Sequence, residues 1–431
     1  MEKEKINIFW FRRDLRLDDN TALFHALQSS NKVLAVFIFD TFIIDKLNDI
    51  KDARIWFIYN ELKNLKKCIE KYGSTLLIKK GVPIDIFKEI TTNYDVEKVF
   101  ANRDYEPFAI KRDKILEDFF KSYNIEFLLF KDQVIFEKDE ILKSDSKPYT
   151  VFGFYKKSWL KKFYEQNLDI CKSEGLLHNL LIMKPINLFD LSEIGFYPSY
   201  INFPTKEIDL NIIDNYDKTR DIPALSTSGL GLHLRFGTIS IRKVFHIAQT
   251  HNDVWMSELI WREFFMQILH AFPYVENSAF KPIYNNIEWL NNESDFEHWC
   301  NGKTGYAIVD AGMRELNATG FMHNRVRMVV ASFLCKHLLI DWRWGEAYFA
   351  SKLLDYELSS NNGNWQWAAG CGCDAAPYFR IFNPISQTQK FDPQLIYVRK
   401  WVKEFNELSY NYMIDHKFAR ERCLSVYKKI F

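Results

Sequence analysis

Several features that mark common protein classes are missing from this chain of 431 residues. The formal net charge is only +1, so any contact with nucleic acid requires a local basic face. The seven cysteines are odd in number and lack paired C-x-x-C spacing, which argues against a disulfide framework or a structural zinc site. No apolar run approaches the roughly 18 residues of a membrane span. We therefore expect a cytoplasmic protein without a metal site or a membrane helix.

Aromatic side chains are abundant in this sequence. They make up 16% of the chain, with 12 Trp and 37 Phe, and such an interior is suited to hold a planar ring. The length is large for one domain and comfortable for two.

The first 130 residues alternate short apolar runs with amphipathic segments. The runs predict buried strands at 6–11, 32–40, 74–80, 97–102 and 125–130. Helices are predicted between them at 20–29, 51–72, 83–92 and 108–123. This alternation predicts a doubly wound parallel sheet with right-handed crossovers. No G-x-G-x-x-G follows the first strand, which argues against the usual nicotinamide-binding fold.

The rest of the chain predicts a connector and a helical domain. Residues 164–212 show little periodicity and are rich in Asn, Ser, Pro and Leu, which is typical of a long linker. From Tyr216 onward the composition favours helices. The predicted organisation is an α/β domain at 1–130, an inter-domain connector at 131–212 and an all-α domain at 213–431.

The stretch from Gly320 to Trp367 places polar groups at helical spacing in an apolar frame. Asn324, Arg327 and Met328 fall at i, i+3 and i+4, so they share one face of a helix. The Asn-Asn-Gly at 361–363 is expected to interrupt the helical pattern. Polar groups buried among tryptophans need partners. These residues alone leave two equal alternatives, a satisfied polar network in a helical core or a cofactor pocket.

A turn rich in small residues, Thr227-Ser228-Gly229-Leu230-Gly231, precedes an apolar run. Backbone N–H groups and the helix dipole at such a helix start can cradle a phosphate. Most turns of this composition are simple N-caps, so both interpretations stay open.

The segment 253–269 carries Trp255, Glu258, Trp261, Arg262 and Phe265 at three- and four-residue spacing. On a helix these side chains form one polar and aromatic stripe. One interpretation is an interface helix with a salt-bridged glutamate. The other is a pocket for an extruded base, which needs a flat apolar face and a few polar groups.

Six long motifs occur along the chain in a fixed order. They are WFRRDLRLDDN (10–20), TGYAIVDAGMREL (304–316), HNRVRM (323–328), IDWRWGE (340–346), LDYELSSNNGNWQW (354–367) and DAAPYFRIFNP (374–384). Their wording and order resemble the photolyase/cryptochrome family of flavoproteins, and several long motifs are far more specific than one short pattern. The resemblance implies an α/β antenna domain followed by an all-α domain that holds FAD.

The resemblance also implies residues for the cofactor, which is reduced and anionic in the active form. The implied FAD-binding residues are Tyr216, Thr227, Ser228, Gly229, Leu230, Gly231, Trp255, Arg327, Asp355, Tyr356, Glu357 and Asn361. Among them, the turn at 227–231 would hold the pyrophosphate, and Asn361 would lie beside flavin N5. Trp289, Trp342 and Trp365 match the family's electron-transfer chain.

The implied substrate is a pyrimidine pair flipped out of DNA. Glu258, Trp261, Asn324 and Met328 match the catalytic positions. Asn and Met within HNRVRM are typical of class I cyclobutane-dimer photolyases, whereas (6-4) photolyases and animal cryptochromes use His, because their chemistry requires proton transfer. The expected DNA-binding residues are Arg220, Glu258, Trp261, Arg262, Phe265, Asn324, Arg325, Trp367 and Arg380, joined by Lys390.

The resemblance implies light-driven DNA repair by a monomer that acts on damaged single- or double-stranded DNA. A blue-light photoreceptor that signals through a protein partner is the alternative. A second, antenna chromophore of folate, deazaflavin or flavin type is also implied. Glu106 stands at a position where some members use an acidic residue to hold a folate. Glu276, however, stands at a second position, where folate-binding members carry a basic residue, so the antenna stays unassigned.

Overall fold

A five-stranded parallel sheet forms the N-terminal part of the computed structural model, which describes residues 3–431. The strands are β1 Lys5–Phe11, β2 Lys32–Asp40, β3 Leu76–Gly81, β4 Asp95–Asn102 and β5 Glu126–Phe130. They are arranged in the order β3-β2-β1-β4-β5, and every neighbouring pair is parallel. The predicted doubly wound sheet is confirmed, and each strand begins and ends within two residues of its predicted bounds.

Helices cover both faces of this sheet, because parallel strands need crossover connections. The helices between the strands are α1 Thr21–Gln28, α2 Thr41–Ile44, α3 Ala53–Glu70, α4 Pro83–Asn93 and α5 Pro107–Ser122. Pro83 and Pro107 each stand at the first helical position, where the missing N–H is not needed. The central strand β1 and its neighbour β2 are buried from their second residue to their last, as expected for a sheet covered on both sides.

The remaining chain is helical. The helices are α6 Phe152–Tyr164, α7 Leu210–Asp214, α8 Tyr216–Thr219, α9 Gly231–Phe236, α10 Ile241–His251, α11 Asp253–Ala271, α12 Glu293–Cys300, α13 Ala307–Thr319, α14 Asn324–Ser332, α15 Trp342–Lys352, α16 Leu358–Ala369, α17 Pro384–Phe391, α18 Ile396–Trp401 and α19 His416–Lys428. Short 3₁₀ segments lie at Lys138–Glu140, Ser173–Asn179, Leu191–Ile194, Pro273–Glu276 and Pro282–Asn286, and a π-helical turn at Phe333–His337. No helix within residues 3–431 is long and apolar enough to cross a bilayer.

The chain forms two compact units, and neither is continuous in sequence. The first contains residues 1–137, 162–206 and 230–247, and the second contains residues 138–161, 207–229 and 248–431. The segment predicted as a connector is therefore divided between the units. The domain boundaries predicted at residues 130 and 212 stay a prediction.

Helix α16 corrects one expectation. The Asn-Asn-Gly at 361–363 does not interrupt the helix, which runs unbroken from Leu358 to Ala369. A Cβ at position 363 would lie 2.2 Å from the ring of Phe265, so glycine is needed here for close packing. The asparagine side chains bond to neighbouring segments, and Asn362 donates to the carbonyl of Val275 over 2.9 Å. They satisfy tertiary contacts where the sequence pattern predicted a turn.

Candidate functional site

A pocket opens in the second unit, lined by helices α14, α15 and α16 and the segment between α15 and α16. Its empty space is about 600 Å³ when the open solvent at its mouth is included. Among its lining residues are nine that the sequence analysis singled out: Asn324, Arg327, Met328, Asp355, Tyr356, Glu357, Asn361, Trp365 and Trp367. The lining also includes the apolar side chains of Ala331, Phe349 and Leu353. Residues expected to contact a flavin and residues expected to contact its substrate thus line the same cavity.

Helix α14 aligns three of these side chains. The His323 side chain caps its start by accepting from the N–H of Arg325, so the helix begins directly at Asn324. Asn324, Arg327 and Met328 then face the pocket together, in agreement with their predicted common face.

The cation and anion of the pocket form a pair that leaves one oxygen open. Arg327 Nη2 donates to Asp355 Oδ2 over 2.9 Å, and Arg327 Nε donates to the carbonyl of Met322 over 2.6 Å. Asp355 Oδ1 is buried and accepts no hydrogen bond from residues 3–431. A buried carboxylate oxygen without a partner is costly, so this atom is a candidate ligand contact.

Asn361 is held from behind by Glu346, a residue that the sequence analysis quoted within IDWRWGE but did not single out. The Asn361 Nδ2 donates to the Glu346 carbonyl over 3.1 Å and to Glu346 Oε1 over 2.8 Å. Burial raises the pKa of the Glu346 carboxyl, and the bond from Asn361 opposes that rise. Spacing along one helix could not reveal this contact, because it joins α15 to α16.

A second cluster lies on α8 and α11. Arg220 pairs with Glu258 over 2.7 Å, and its guanidinium stands 5.4 Å from the ring centroid of Tyr216. Burial raises the pKa of the Glu258 carboxyl, although Arg220 opposes the rise. Burial, together with Glu258, also raises the pKa of Tyr216. Glu258 is therefore salt-bridged, as the interface-helix interpretation predicted. It is also one of the residues predicted to contact the substrate.

Trp261 stacks on an aromatic partner that sequence reasoning missed. Its ring lies 3.6 Å from that of Phe152, centroid to centroid, at an interplanar angle of 8°. The backbone N–H of Phe152 donates to Asp374 Oδ2 over 3.0 Å, which fixes the start of α6. Phe152 is the first residue of α6, and no periodicity along the chain connects it to position 261.

Three other residues of α11 have separate surroundings. Arg262 Nη2 lies 3.2 Å from Glu357 Oε1, so it is beside the pocket. Phe265 is 6% exposed and packs on Gly363, and its DNA contact stays a prediction. Trp255 is 4% exposed and lies outside the lining of this pocket, and its cofactor contact stays a prediction.

The three tryptophans predicted to carry electrons differ in exposure. Trp365 lines the pocket and is 2% exposed. Trp342 is also 2% exposed and is the first residue of α15. The same helix contains Gly345, where a Cβ would lie 2.1 Å from the Trp365 ring. Trp289 is half-buried, with its ring edge-on to Tyr427. Trp365 therefore packs directly on the backbone of the helix that carries Trp342.

The predicted DNA-contacting cations stack on aromatic rings. Arg380 is exposed and stands 5.8 Å from the ring centroid of Trp367, a pocket residue. Arg325 pairs with Asp221 over 2.6 Å and stands 4.4 Å from the Phe391 ring, which Lys390 also covers at 5.1 Å. The rings hold the cations in place while leaving Arg380 and Lys390 open to solvent.

The turn at 227–231 precedes α9, which begins at Gly231. Gly229 has φ +65°, a left-handed conformation that favours glycine. Leu230 caps α9 without a side-chain hydrogen bond, so the simple N-cap interpretation has no side-chain support here.

Glu106, the candidate antenna residue, lies in the first unit between two arginines. Its Oε1 is 2.9 Å from Arg13 Nη1 and 3.2 Å from Arg235 Nη1. The seven cysteines are all free thiols. No group of three or more His, Cys, Asp or Glu side chains suited to a metal ion occurs within the described range 3–431.

Comparison with known proteins connects this pocket to one family. Residues 7–172 match the family model described as DNA photolyase, and residues 255–429 match that of the FAD binding domain of DNA photolyase. The deoxyribodipyrimidine photo-lyase of Vibrio cholerae is 36% identical over 470 residues, covering 98% of this chain and 99% of the relative.

Two solved structures share the whole fold. A class III photolyase from Agrobacterium tumefaciens has a TM-score of 0.86 at 30% identity, covering 100% of this chain and 98% of the other. A cryptochrome from Synechocystis sp. has a TM-score of 0.85 at 26% identity, covering 99% of this chain and 100% of the other. The chain therefore belongs to the DNA photolyase family and is an enzyme with that family's FAD-binding domain.

Proposed function

We propose that this protein is a light-driven DNA-repair enzyme that splits cyclobutane pyrimidine dimers. The observation that carries the proposal is the shared pocket of the second unit. Arg327, Asp355 and Asn361 of the predicted flavin set line the same cavity as Asn324 and Met328 of the predicted substrate set. An electron that moves between two ligands in one cavity needs no intervening protein segment.

The polar atoms of this pocket fit an isoalloxazine ring, which offers both hydrogen-bond donors and acceptors at its edge. Arg327 supplies donors, and the open Asp355 Oδ1 supplies an acceptor. When bound and reduced, FAD supplies under blue or near-ultraviolet light the electron that opens the cyclobutane ring, and it takes the electron back. The chain's own part is to bind, orient and exclude water. The Arg327–Asp355 pair fixes the charge beside the ring.

The substrate needs apolar contact from the pocket and one carboxyl group, which Glu258 of α11 supplies from outside the pocket lining. Met328 is soft and apolar, so it can pack on a pyrimidine pair but cannot transfer a proton to it. Glu258 can accept from the pairing edge of a base, or donate to it when protonated. Burial raises the pKa of this carboxyl, and the ion pair with Arg220 opposes the rise. Trp261 offers an indole edge and face already ordered by Phe152. These features favour the cyclobutane dimer over the (6-4) lesion as substrate.

Binding of the DNA backbone would use the ring-stacked cations Arg325, Arg380 and Lys390. Phosphate contacts set register without reading sequence, as suits an enzyme that meets its lesion anywhere. The lesion itself disrupts pairing, which lowers the cost of extrusion by a few kcal/mol and supplies selectivity.

Repair of a single thymine cyclobutane dimer in an oligonucleotide tests the proposal. The protein is chemically reduced with FAD bound and assayed in blue light and in darkness, with a (6-4) lesion in parallel. We expect light-dependent loss of the cyclobutane dimer alone. Glu258→Ala should lower lesion affinity and repair while FAD stays bound, because Glu258 lies outside the pocket lining.

Failure to repair either lesion with FAD bound would overturn the proposal in favour of a photoreceptor. The fold likeness to the Synechocystis cryptochrome is the observation that favours this second function. Repair of the (6-4) lesion alone would instead contradict the substrate assignment made from Asn324 and Met328.

A further inference from the structure

The guanidinium of Arg325 is held on three sides, although Arg325 does not line the pocket. Its Nε and Nη2 both donate to Asp221 Oδ1, over 3.1 Å and 2.6 Å. Its flat face stands 4.4 Å from the ring centroid of Phe391. Its Nη1 donates to the sulfur of Met328 over 3.7 Å. Arg325 therefore connects the half-exposed carboxylate of Asp221 to a side chain that lines the pocket.

Met328 is a flexible side chain in the wall of this pocket. A methionine is unbranched and has three rotatable bonds, so apolar packing alone leaves it several conformations. Its thioether sulfur is a weak acceptor, and here it accepts from a cation whose own position is fixed. The bond limits the directions in which the terminal methyl group can point. The contact with Arg325 therefore orders this part of the cavity wall.

We propose that Asp221 is a positioning residue that orders Met328 through Arg325 and so shapes the surface on which the pyrimidine dimer packs. This inference rests on the proposed function, because it takes Met328 to contact the substrate. Asp221 does not line the pocket itself, so its effect on the substrate passes through Arg325.

Arg325 keeps donors for a DNA phosphate in this arrangement. A guanidinium carries five N–H groups, and Asp221 and Met328 use three of them. One N–H remains on each terminal nitrogen, which is sufficient for a charge-assisted contact with a phosphate oxygen. Without Asp221, only the stacking on Phe391 and the weak bond to sulfur hold the guanidinium. A bound phosphate would then draw it away from Met328.

Methionine methyl NMR provides the first test. The FAD-loaded protein, oxidised and kept in the dark, carries ¹³C in the methyl groups of its eight methionines. The Met328 signal is assigned by its absence in Met328→Leu. We expect Asp221→Ala to shift this signal by more than its linewidth. Arg325→Lys should shift it as well, because lysine keeps the charge but lacks the planar fork that bonds to Asp221 and Met328 together. An unchanged Met328 signal in either variant would overturn the proposal.

Two further variants separate positioning from net charge. Asp217→Ala is the matched control, because it removes the same charge four residues earlier, where Asp217 accepts from Asn252 over 3.2 Å. The Met328 signal should stay in place in this control. Asp221→Asn keeps an acceptor oxygen for Arg325 and should return the signal toward its position in the wild type. An equal shift in Asp217→Ala and Asp221→Ala would show that the signal follows net charge, which contradicts the proposal.

Binding of two matched oligonucleotides, one undamaged and one with a thymine cyclobutane dimer, gives the second readout. We expect the ratio of their Kd values to fall about fivefold in Asp221→Ala, because the dimer loses an ordered packing surface. The ratio should not change in Asp217→Ala, since a lost negative charge alters the affinity for both DNAs alike. Equal ratios in the two variants, with dimer preference intact in the wild type, would overturn this inference alone. Equal affinity of the wild type for both DNAs would instead contradict the proposed function, and this role of Asp221 with it.

Discussion

Two arginine–aspartate clusters, one in each unit, show how differently buried charges are used. In the first unit, Arg242 bonds to both Asp19 and Asp132, and Arg16 bonds to Asp132 over 2.7 Å. All four side chains are at most 8% exposed. In the second unit, Arg327 bonds to Asp355 over 2.9 Å, and these side chains are 25% and 20% exposed.

The two clusters differ in whether both carboxylate oxygens of the aspartate accept hydrogen bonds from the protein. Both oxygens of Asp132 accept hydrogen bonds, from Thr21, Arg16 and Arg242. Asp355 Oδ1 accepts none from the described residues. A closed network of this kind stabilises the fold, whereas an unpaired carboxylate oxygen on a residue that lines a cavity is a candidate contact for a ligand. The two clusters would look alike in a list of ion pairs.

Removing one carboxylate from the closed cluster should have the largest effect. Asp132→Ala leaves Arg16 and Arg242 buried with one carboxylate fewer, and breaking a buried pair costs about 3–5 kcal/mol of unfolding free energy. Urea unfolding of the FAD-free protein measures this loss. A change below about 1 kcal/mol would show that the cluster is not structural.

The same change in the open cluster should spare stability and weaken cofactor binding. Asp355→Ala removes a partly exposed pair, for which about 1 kcal/mol or less is expected. It also removes the open acceptor of the pocket, and a hydrogen bond to a charged group contributes about 1.5–3 kcal/mol, or roughly 10- to 100-fold in Kd. Fluorescence titration of the FAD-free protein with FAD measures the affinity. Unchanged affinity would contradict the assignment of Asp355 to the flavin.

Low pH should remove the stabilisation that the closed cluster of the first unit contributes. Burial alone would raise the pKa of Asp132, but the charges of Arg16 and Arg242 lower it to about 2. Since this pKa lies below the unfolded value near 3.9, the stabilisation is full above about pH 4 and is lost as the pH falls toward 2, a change of roughly 2 kcal/mol. Urea midpoints between pH 7 and pH 2.5 measure this loss, and Asp132→Asn should lack this part of it. An equally steep loss in Asp132→Asn would assign the acid sensitivity to other groups.

The smallest effect is expected at the Phe152–Trp261 stack of the second unit. Phe152→Ala removes a stacked ring worth about 1 kcal/mol, so dimer-containing DNA should bind roughly fivefold more weakly while FAD affinity stays unchanged. Phe154→Ala is the matched control, because its side chain is 66% exposed two residues away. Equal DNA affinities of the two variants would show that the stack does not order Trp261.

Local patterns predicted the fold better than the contacts of the site. Short Val-, Ile- and Phe-rich runs determine strands by themselves, so β1 to β5 were predicted to within two residues. The face shared by Asn324, Arg327 and Met328 also follows from helix periodicity. The stack of Phe152 on Trp261 and the bond from Asn361 to Glu346 join different helices, and periodicity along one helix does not contain them.

Gly363 shows most directly where prediction from local sequence propensity fails. Sequence propensity interprets Gly363 as a breaker, because glycine is unfavourable in helices by about 1 kcal/mol relative to alanine. In the structure, the absence of its Cβ allows the Phe265 ring to contact α16. Tertiary packing therefore outweighs local propensity at this position, and only knowledge of the neighbouring helix could have predicted it.

The closed cluster of the first unit also affects how the chain is made. Asp19 and its partner Arg242 are 223 residues apart in sequence. At roughly 5–20 residues per second, a ribosome needs about 10–50 s to synthesise the segment between them. Until Arg242 emerges, Asp19 lacks its arginine partner, and Asp132 has only one of its two arginines, Arg16. We expect the first unit to complete its core only after residue 247 has emerged, and a fragment ending at residue 130 to be less stable than the same residues in the full chain.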